Sequence, residues 1–341
     1  MKYLSSAKDI CKWLIPLGVG ALLFWLVYRK MDLSSVGDIL SAGLRWEWIA
    51  LYCLLYTASM IFRGLRWQML LDPVSGEDRR PLTTVLATFI AYGANLLFPR
   101  IGEVARCGVL NRYGKMPFST SLGTVVTERI FDLVCLAGMA LAALLLQIEP
   151  FRAFLSENPS AGEKLTGLLL SWKLWTAVGV VLLAVIAAIL IIRRRPVAQR
   201  FKDFFRQMLD GMLSIRTLRR PWLFIVYTLL LWACFYFAFY IGQYFFNIPL
   251  GLGFTAMFTG YVMGSMGVVA PVQGGIGAWH FMVIFTLTFY GVGQAEAGTF
   301  ALVVHGVNTA FTLLSGLVAW GLAALAWRRW SGAKAAAEVR N

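Results

Sequence analysis

The sequence predicts an all-α, polytopic transmembrane bundle of six to eight spans, joined by two helix hairpins that turn back inside the membrane. Three observations lead there. The 341 residues are 59% hydrophobic and only 14% charged, with a mean hydropathy of +0.70, far more apolar than a soluble domain. Six stretches approach the ~20 apolar residues a helix needs to cross a bilayer: 12–28, 47–62, 118–146, 172–192, 221–246 and 298–327. Two more, 82–98 and 254–292, are broken at Phe98-Pro99-Arg100-Ile101-Gly102 and at Pro271-Val272-Gln273-Gly274-Gly275-Ile276-Gly277, as discontinuous or re-entrant helices are.

Taken in order, the first apolar run, Trp13 to Tyr28, follows Lys2, Lys8 and Lys12 as in a signal peptide. Arg29 and Lys30 stand where small cleavage-site residues belong, so it reads as a retained first span. Asp32 to Leu44 has a weak amphipathic pattern and is expected on the outer surface. After the second span, Arg63-Gly64-Leu65-Arg66-Trp67 reads as an interfacial anchor. The excess of 31 basic over 17 acidic residues belongs to cytoplasmic loops rather than to a nucleic-acid site. It places 193–220 and the C-terminal tail (Arg328, Arg329, Lys334) inside, and 147–171, with Glu149, Glu157 and Glu163, outside.

The same rule makes 63–80 and 106–115 both cytoplasmic. The stretch between them must then enter at 82–98, turn at Pro99 and return through 101–113. The stretch 254–292, starting and ending outside, would mirror it, and the pair has the pattern of an inverted repeat with a binding site near the midplane. Two ordinary pairs of kinked crossing helices are the alternative. Within 193–220, Val197, Phe201, Phe204, Phe205, Met208, Leu209, Met212 and Leu213 recur at helical spacing, giving a helix on the cytoplasmic membrane surface. Residues 1–341 form one integral membrane domain of the cell inner membrane, both termini cytoplasmic, with a disordered tail from about 331. Cys11, Cys53, Cys107, Cys135 and Cys234 are isolated and odd in number, so neither a disulfide framework nor a metal site is indicated.

Charged residues at membrane depth are costly and mark function or packing. The densest group is Asn95, Pro99, Arg100, Gly102, Glu103 and Arg106. Arg100 and Arg106 offer forked donors suited to a lipid phosphate, and Glu103, three residues before Arg106, would orient it. Snorkelling at the interface is the alternative. Glu128, Arg129 and Asp132 sit inside an apolar helix, either as a salt-bridge network that pins helices or as part of a transport path. Gly274, Gly275 and Gly277 permit a tight turn with exposed backbone amides, Gln273 adds a side-chain amide, and a half-helix beginning there would favour an anion. His280 and His305 read as satisfied intramembrane histidines, and Asn308 as a helix-packing residue. No nucleophile, acid–base pair or cofactor motif is present, so an enzyme site has no support.

The string Asn95-Leu96-Leu97-Phe98-Pro99-Arg100-Ile101-Gly102-Glu103-Val104-Ala105-Arg106, followed by Glu128-Arg129-Ile130-Phe131-Asp132, resembles the flippase-like family named for the membrane region of lysylphosphatidylglycerol synthase. The Arg63 to Trp67 group and the Pro271 to Gly277 turn match as well, so the resemblance covers roughly residues 10–330. In the multiple peptide resistance factor branch, that region moves an aminoacylated phospholipid between leaflets and a separate soluble domain makes it. The resemblance implies a translocase for a charged-head-group lipid, without aminoacyl transfer, the chain ending soon after its last helix. Expected partners are membrane lipids, whether anionic or aminoacylated phospholipids or polyprenyl-linked lipids, with a separate synthetase or glycosyltransferase and a homo-oligomer as further candidates. The alternative is a non-catalytic membrane subunit that docks such an enzyme. One departure stands out: the family usually has an acidic residue where this chain has His280.

Overall fold

A computed structural model describes residues 21–29, 43–75, 81–113, 116–149, 199–247, 249–269 and 272–338, with isolated positions between them. The expected spans before residue 21 and at 172–192, most of the Asp32 to Leu44 segment, and Pro271 lie outside the described residues. A helical segment at 21–28 precedes α1 (Trp46–Ser75), α2 (Pro81–Leu97), α3 (Ile101–Tyr113), α4 (Phe118–Leu146) and α5 (Gln199–Leu213). Then follow α6 (Pro221–Ile241), α7 (Phe254–Val268), α8 (Ala278–Phe289) and α9 (Gln294–Glu338). The described residues form no strand, only one isolated bridge between Leu44 and Phe246. Such a helical build follows from the bilayer, where each backbone group must find its partner within its own segment.

Four of the described helices are long and apolar enough to cross a membrane: Trp46–Val74, Phe118–Leu146, Pro221–Phe245 and Gln294–Trp327. The first runs well beyond the apolar stretch 47–62 because the arginines that follow are neutralised by other helices, as shown below. The last continues to Glu338, through most of the stretch read from sequence as a disordered tail.

Four of the other helices form two hairpins. With 17 and 13 residues, α2 and α3 are about 26 and 20 Å long, short of the ~30 Å hydrocarbon core. They pack side by side because the chain reverses over Phe98 to Arg100. Arg100 takes φ 62°, a left-handed conformation unusual for a non-glycine residue, and Asn95 Oδ1 accepts the Gly102 N–H at 2.7 Å, capping the return helix. The second hairpin, α7 and α8, turns at 272–277, where Gly274, Gly275 and Gly277 adopt φ of 57°, 75° and 82°. The two tips meet. Gln273 Nε2 donates to Leu97 O at 2.7 Å and Arg100 Nη2 to Val269 O at 3.1 Å.

Around the hairpins, α1 pairs with α6, α2 with α9, and α4 with α5, over an aromatic core that includes Tyr52, Tyr56, Phe239, Phe245 and Phe300. Small residues set the close crossings, as expected where packing rather than the hydrophobic effect holds helices together. Gly93 of α2 faces Gly316 of α9, and a Cβ on Gly93 would lie 3.3 Å from Gly316 Cα. Gly123 of α4 faces the Met208 carbonyl of α5, and Gly211 of α5 the Thr120 carbonyl of α4. Ser119 bonds Gln207 and Thr127 Oγ1 donates to Met212 O at 3.0 Å. The helix expected in the basic segment therefore forms over 199–213, and its Met208–Met212 side is bound to α4, while Leu209 and Leu213 stay exposed.

Overpacking this contact gives a direct check. Gly123→Ala should lower stability by about 1–3 kcal/mol, the usual cost of forcing a methyl into a closed contact. Gly138→Ala on the same helix, with nothing within 4 Å of its new Cβ, should not destabilise. Thermal unfolding of both variants in detergent compares them.

Candidate functional site

Helical spacing places Arg63 and Arg66, three apart, on one face of α1, and Glu128 and Asp132, four apart, on one face of α4. In the folded chain these two faces meet. Arg63 Nη1 lies 3.1 Å from Glu128 Oε1 and 2.7 Å from Asp132 Oδ2. Arg66 Nη2 lies 3.0 Å from Glu128 Oε1 and 2.7 Å from Asp132 Oδ1. From α3, Arg106 Nη1 reaches Glu128 Oε2 at 2.7 Å, with its guanidinium 4.6 Å over the Trp67 ring. Glu128 thus accepts from three arginines. Arg66 also donates to Thr228 of α6 at 3.3 Å, so the cluster joins α1, α3, α4 and α6.

Burial makes this pairing obligatory. Glu128 and Arg66 are 0% exposed and Arg106 1%, and an unpaired ion at such depth costs several kcal/mol. Two expectations are corrected here. The Arg63 to Trp67 group is not an interfacial anchor, because Arg63, Arg66 and Trp67 are inside, paired with Glu128, Asp132 and Thr124. Glu103 is not the partner of Arg106; it lies 3.3 Å from Arg129 Nη2, while Arg129 Nη1 is 3.3 Å from Asp132. Spacing within one helix was overridden by shorter contacts between helices.

A cavity of about 440 Å³ lies against this cluster, within the size range of small-ligand sites. Arg63, Arg100, Glu103, Arg129 and Asp132 form its charged wall. Tyr52, Tyr56, Trp232, Phe235, Tyr261 and Trp279 form an aromatic wall. Leu133, Val268 and Val269 also line it and are exposed on the outer surface, so the cavity reaches the apolar exterior between α4 and the end of α7.

Of the residues singled out from the sequence, Asn95, Arg100, Glu103, Arg129, Asp132, Gly274 and Gly275 border this cavity. Arg106 and Glu128 are buried away from it, as the bracing of the charged wall. Gln273, Gly277 and His280 belong to the packing of the second hairpin tip. His280 is 2% exposed, its ring 4.5 Å from that of His305 and flanked by Phe24 and Tyr28. Its Nδ1 accepts the Gly277 N–H at 3.3 Å. A third helical residue that reaches back to the cap N–H is the role of the acidic residue in a capping box. His280 keeps that acceptor without bringing a negative charge. His305 Nε2 lies 2.9 Å from Gly274 O; a carbonyl only accepts, so this nitrogen carries the proton and Nδ1 is left to accept from Thr309, 3.3 Å away. Both histidines thus have hydrogen-bond partners inside the protein, His305 at both ring nitrogens and His280 at Nδ1.

The sequence left Arg63, Arg66, His305 and Asn308 out of the site, yet Arg63, His305 and Asn308 line the cavity and Arg66 anchors its wall. A signal was available: two arginines three apart in one apolar helix, and two carboxylates four apart in another, form complementary faces. Among the described residues no group of three or more His, Cys, Asp or Glu could hold a metal ion.

The fold and cavity define a polytopic helical membrane protein with a charged site at the junction of two helix hairpins. The chain belongs to the lysylphosphatidylglycerol synthase TM region family, whose pattern matches residues 13–316. It is also similar to the glycosyltransferase AglD of Haloferax volcanii, 30% identical over 93 residues, which is 27% of this chain and 15% of that protein's length.

Glu128→Gln is predicted to be strongly destabilising, by about 3–5 kcal/mol, because it leaves buried guanidiniums short of an anion. Glu103→Gln, at the cavity edge with a 20% exposed side chain, should cost less. Thermal unfolding in detergent would rank the two.

Proposed function

We propose that this protein is a lipid translocase, which takes the charged head group of a membrane lipid into the cavity while the acyl or prenyl tails remain in the bilayer. The observation that carries the reading is the cavity itself: a lining that brings paired charges and aromatic rings together, with a side that reaches the apolar exterior. Only a ligand that is polar at one end and apolar at the other matches both environments. Family membership supports the reading.

In this picture the two hairpins enter from opposite faces as an inverted repeat, and their contact at Arg100, Val269, Leu97 and Gln273 separates the two sides of the membrane. The protein resides in the cell inner membrane with both termini cytoplasmic, and has no catalytic activity of its own. Head groups of phospholipids, aminoacylated phospholipids or polyprenyl-linked lipids are the substrate classes. Arg129, held by two contacts of 3.3 Å to Glu103 and Asp132, is the wall cation best placed to exchange partners with an incoming phosphate.

A second reading, a non-catalytic subunit beside a lipid-modifying enzyme or glycosyltransferase, draws on the similarity to a protein named as a glycosyltransferase. Proteoliposomes separate the two. Wild-type protein should accelerate leaflet exchange of head-group-labelled lipid, read by quenching from outside. Arg129→Gln should slow it roughly tenfold, the effect of about 1.4 kcal/mol lost from a charged hydrogen bond. No acceleration with any lipid class would overturn the translocase and leave the subunit reading.

A further inference from the structure

The charges around the cavity do not balance. The buried cluster and cavity wall hold five guanidiniums, of Arg63, Arg66, Arg100, Arg106 and Arg129. Against them stand three carboxylates, of Glu103, Glu128 and Asp132. The surplus of two positive charges is not spread evenly. Glu128 and Asp132 are each shared among several arginines, and Arg129 holds its carboxylates only at 3.3 Å. Arg100 forms no ion pair among the described residues; its recorded partner is the neutral Val269 carbonyl.

The place of Arg100 is fixed by the backbone. It sits at the hairpin tip with φ 62°, a conformation that glycine or asparagine would adopt more readily. An arginine there carries backbone strain for which the fold alone gives no reason, since its guanidinium supplies one neutral hydrogen bond to the opposite tip. Arg63 Nε and Arg129 Nε on the same wall are buried and have no hydrogen-bond partner. Uncompensated cations next to a low-dielectric region raise the affinity for an anion and disfavour cations.

We infer that the cavity selects a head group of net negative charge, with a phosphate facing Arg100 and Arg129, over zwitterionic and cationic head groups. That the ligand is a lipid rests on the translocase reading; that it is an anion rests on the charges alone. An amine on the same head group would have to lie against the positive surplus; of the two carboxylates on the wall, Asp132 already serves arginines through both oxygens and Glu103 offers only its unpartnered Oε2. A phosphate with no amine leaves those pairs in place.

The test is equilibrium binding, so that it does not depend on transport. Full-length protein in detergent is titrated with short-chain phosphatidylglycerol, short-chain phosphatidylethanolamine and glycerol phosphate. Phosphatidylglycerol is expected to bind roughly tenfold tighter or more than phosphatidylethanolamine, the scale of one charged hydrogen bond. Arg100→Gln should reduce that preference to within about threefold, and Arg100→Lys should retain most of it. Arg100 is exposed, and unchanged thermal unfolding checks that the variants are folded. Equal binding of the two lipids by wild type, or an unchanged preference in both Arg100→Gln and Arg129→Gln, would overturn the inference. Glycerol phosphate binding as tightly as phosphatidylglycerol would overturn the lipid assignment and make this a site for a soluble phosphate. Selective binding without leaflet exchange would support the site and count against translocation.

Discussion

Glu128 is the residue on which the arrangement of the other parts depends. Buried in a helix that crosses the membrane, it accepts from Arg63, Arg66 and Arg106, and none of these four ions can be left without the others. A bilayer offers no water to the partner that is released. The pairing therefore sets the depth and rotation of α1, α3 and α4 together. It also explains why α1 continues as helix through two arginines that hydropathy alone would place at the interface. The cost of burying ions is offset by close geometry, and what the fold gains is a defined register more than net stability.

The charged wall of the cavity is the exposed edge of that buried cluster. Asp132 and Arg63 belong to both, while Glu103 and Arg129 complete the surface that a ligand would meet. Holding the wall from behind keeps its cations oriented without using up all their hydrogen-bonding capacity. The aromatic residues of the lining are shared with the core: Tyr52, Tyr56 and Tyr261 belong to it, and Trp232, Phe235 and Trp279 pack against it. One cavity thus takes its charges from α1, the first hairpin and α4, and its aromatic lining from α1, α6, α7 and α8.

The two hairpin tips close the site by a few backbone-directed bonds. Gln273 to Leu97 and Arg100 to Val269 join side chains of one tip to carbonyls that the turn of the other leaves free, the normal way for broken helices to satisfy their ends. His280 fits the same logic. The turn at Gly277 needs an acceptor for its N–H, and a neutral imidazole provides one within a cage of aromatic rings. A carboxylate there would instead reduce the positive surplus of the neighbouring cavity.

Much of this was legible in the amino-acid order. Apolar run length fixes membrane-spanning helices, and three of the four long helices begin within a few residues of the runs that announced them. Pro and Gly at 98–102 and 271–277 located both turns, because only such residues interrupt a helix at membrane depth without further help. The local string around Arg100 and the trio at Glu128, Arg129 and Asp132 supplied residues that the structure brings to the cavity wall or packs behind it. What one chain direction could not supply was partnership. Glu103 and Arg106 are three apart and looked paired, but each found a shorter contact on another helix. Arg63 and Arg66 looked like surface anchors because hydropathy counts charges and does not see the carboxylates, more than 60 positions away, that neutralise them. Residue type and spacing determined the helices, the breaks and the candidate charges; only tertiary packing decided which charges were spent on each other and which were left facing the cavity.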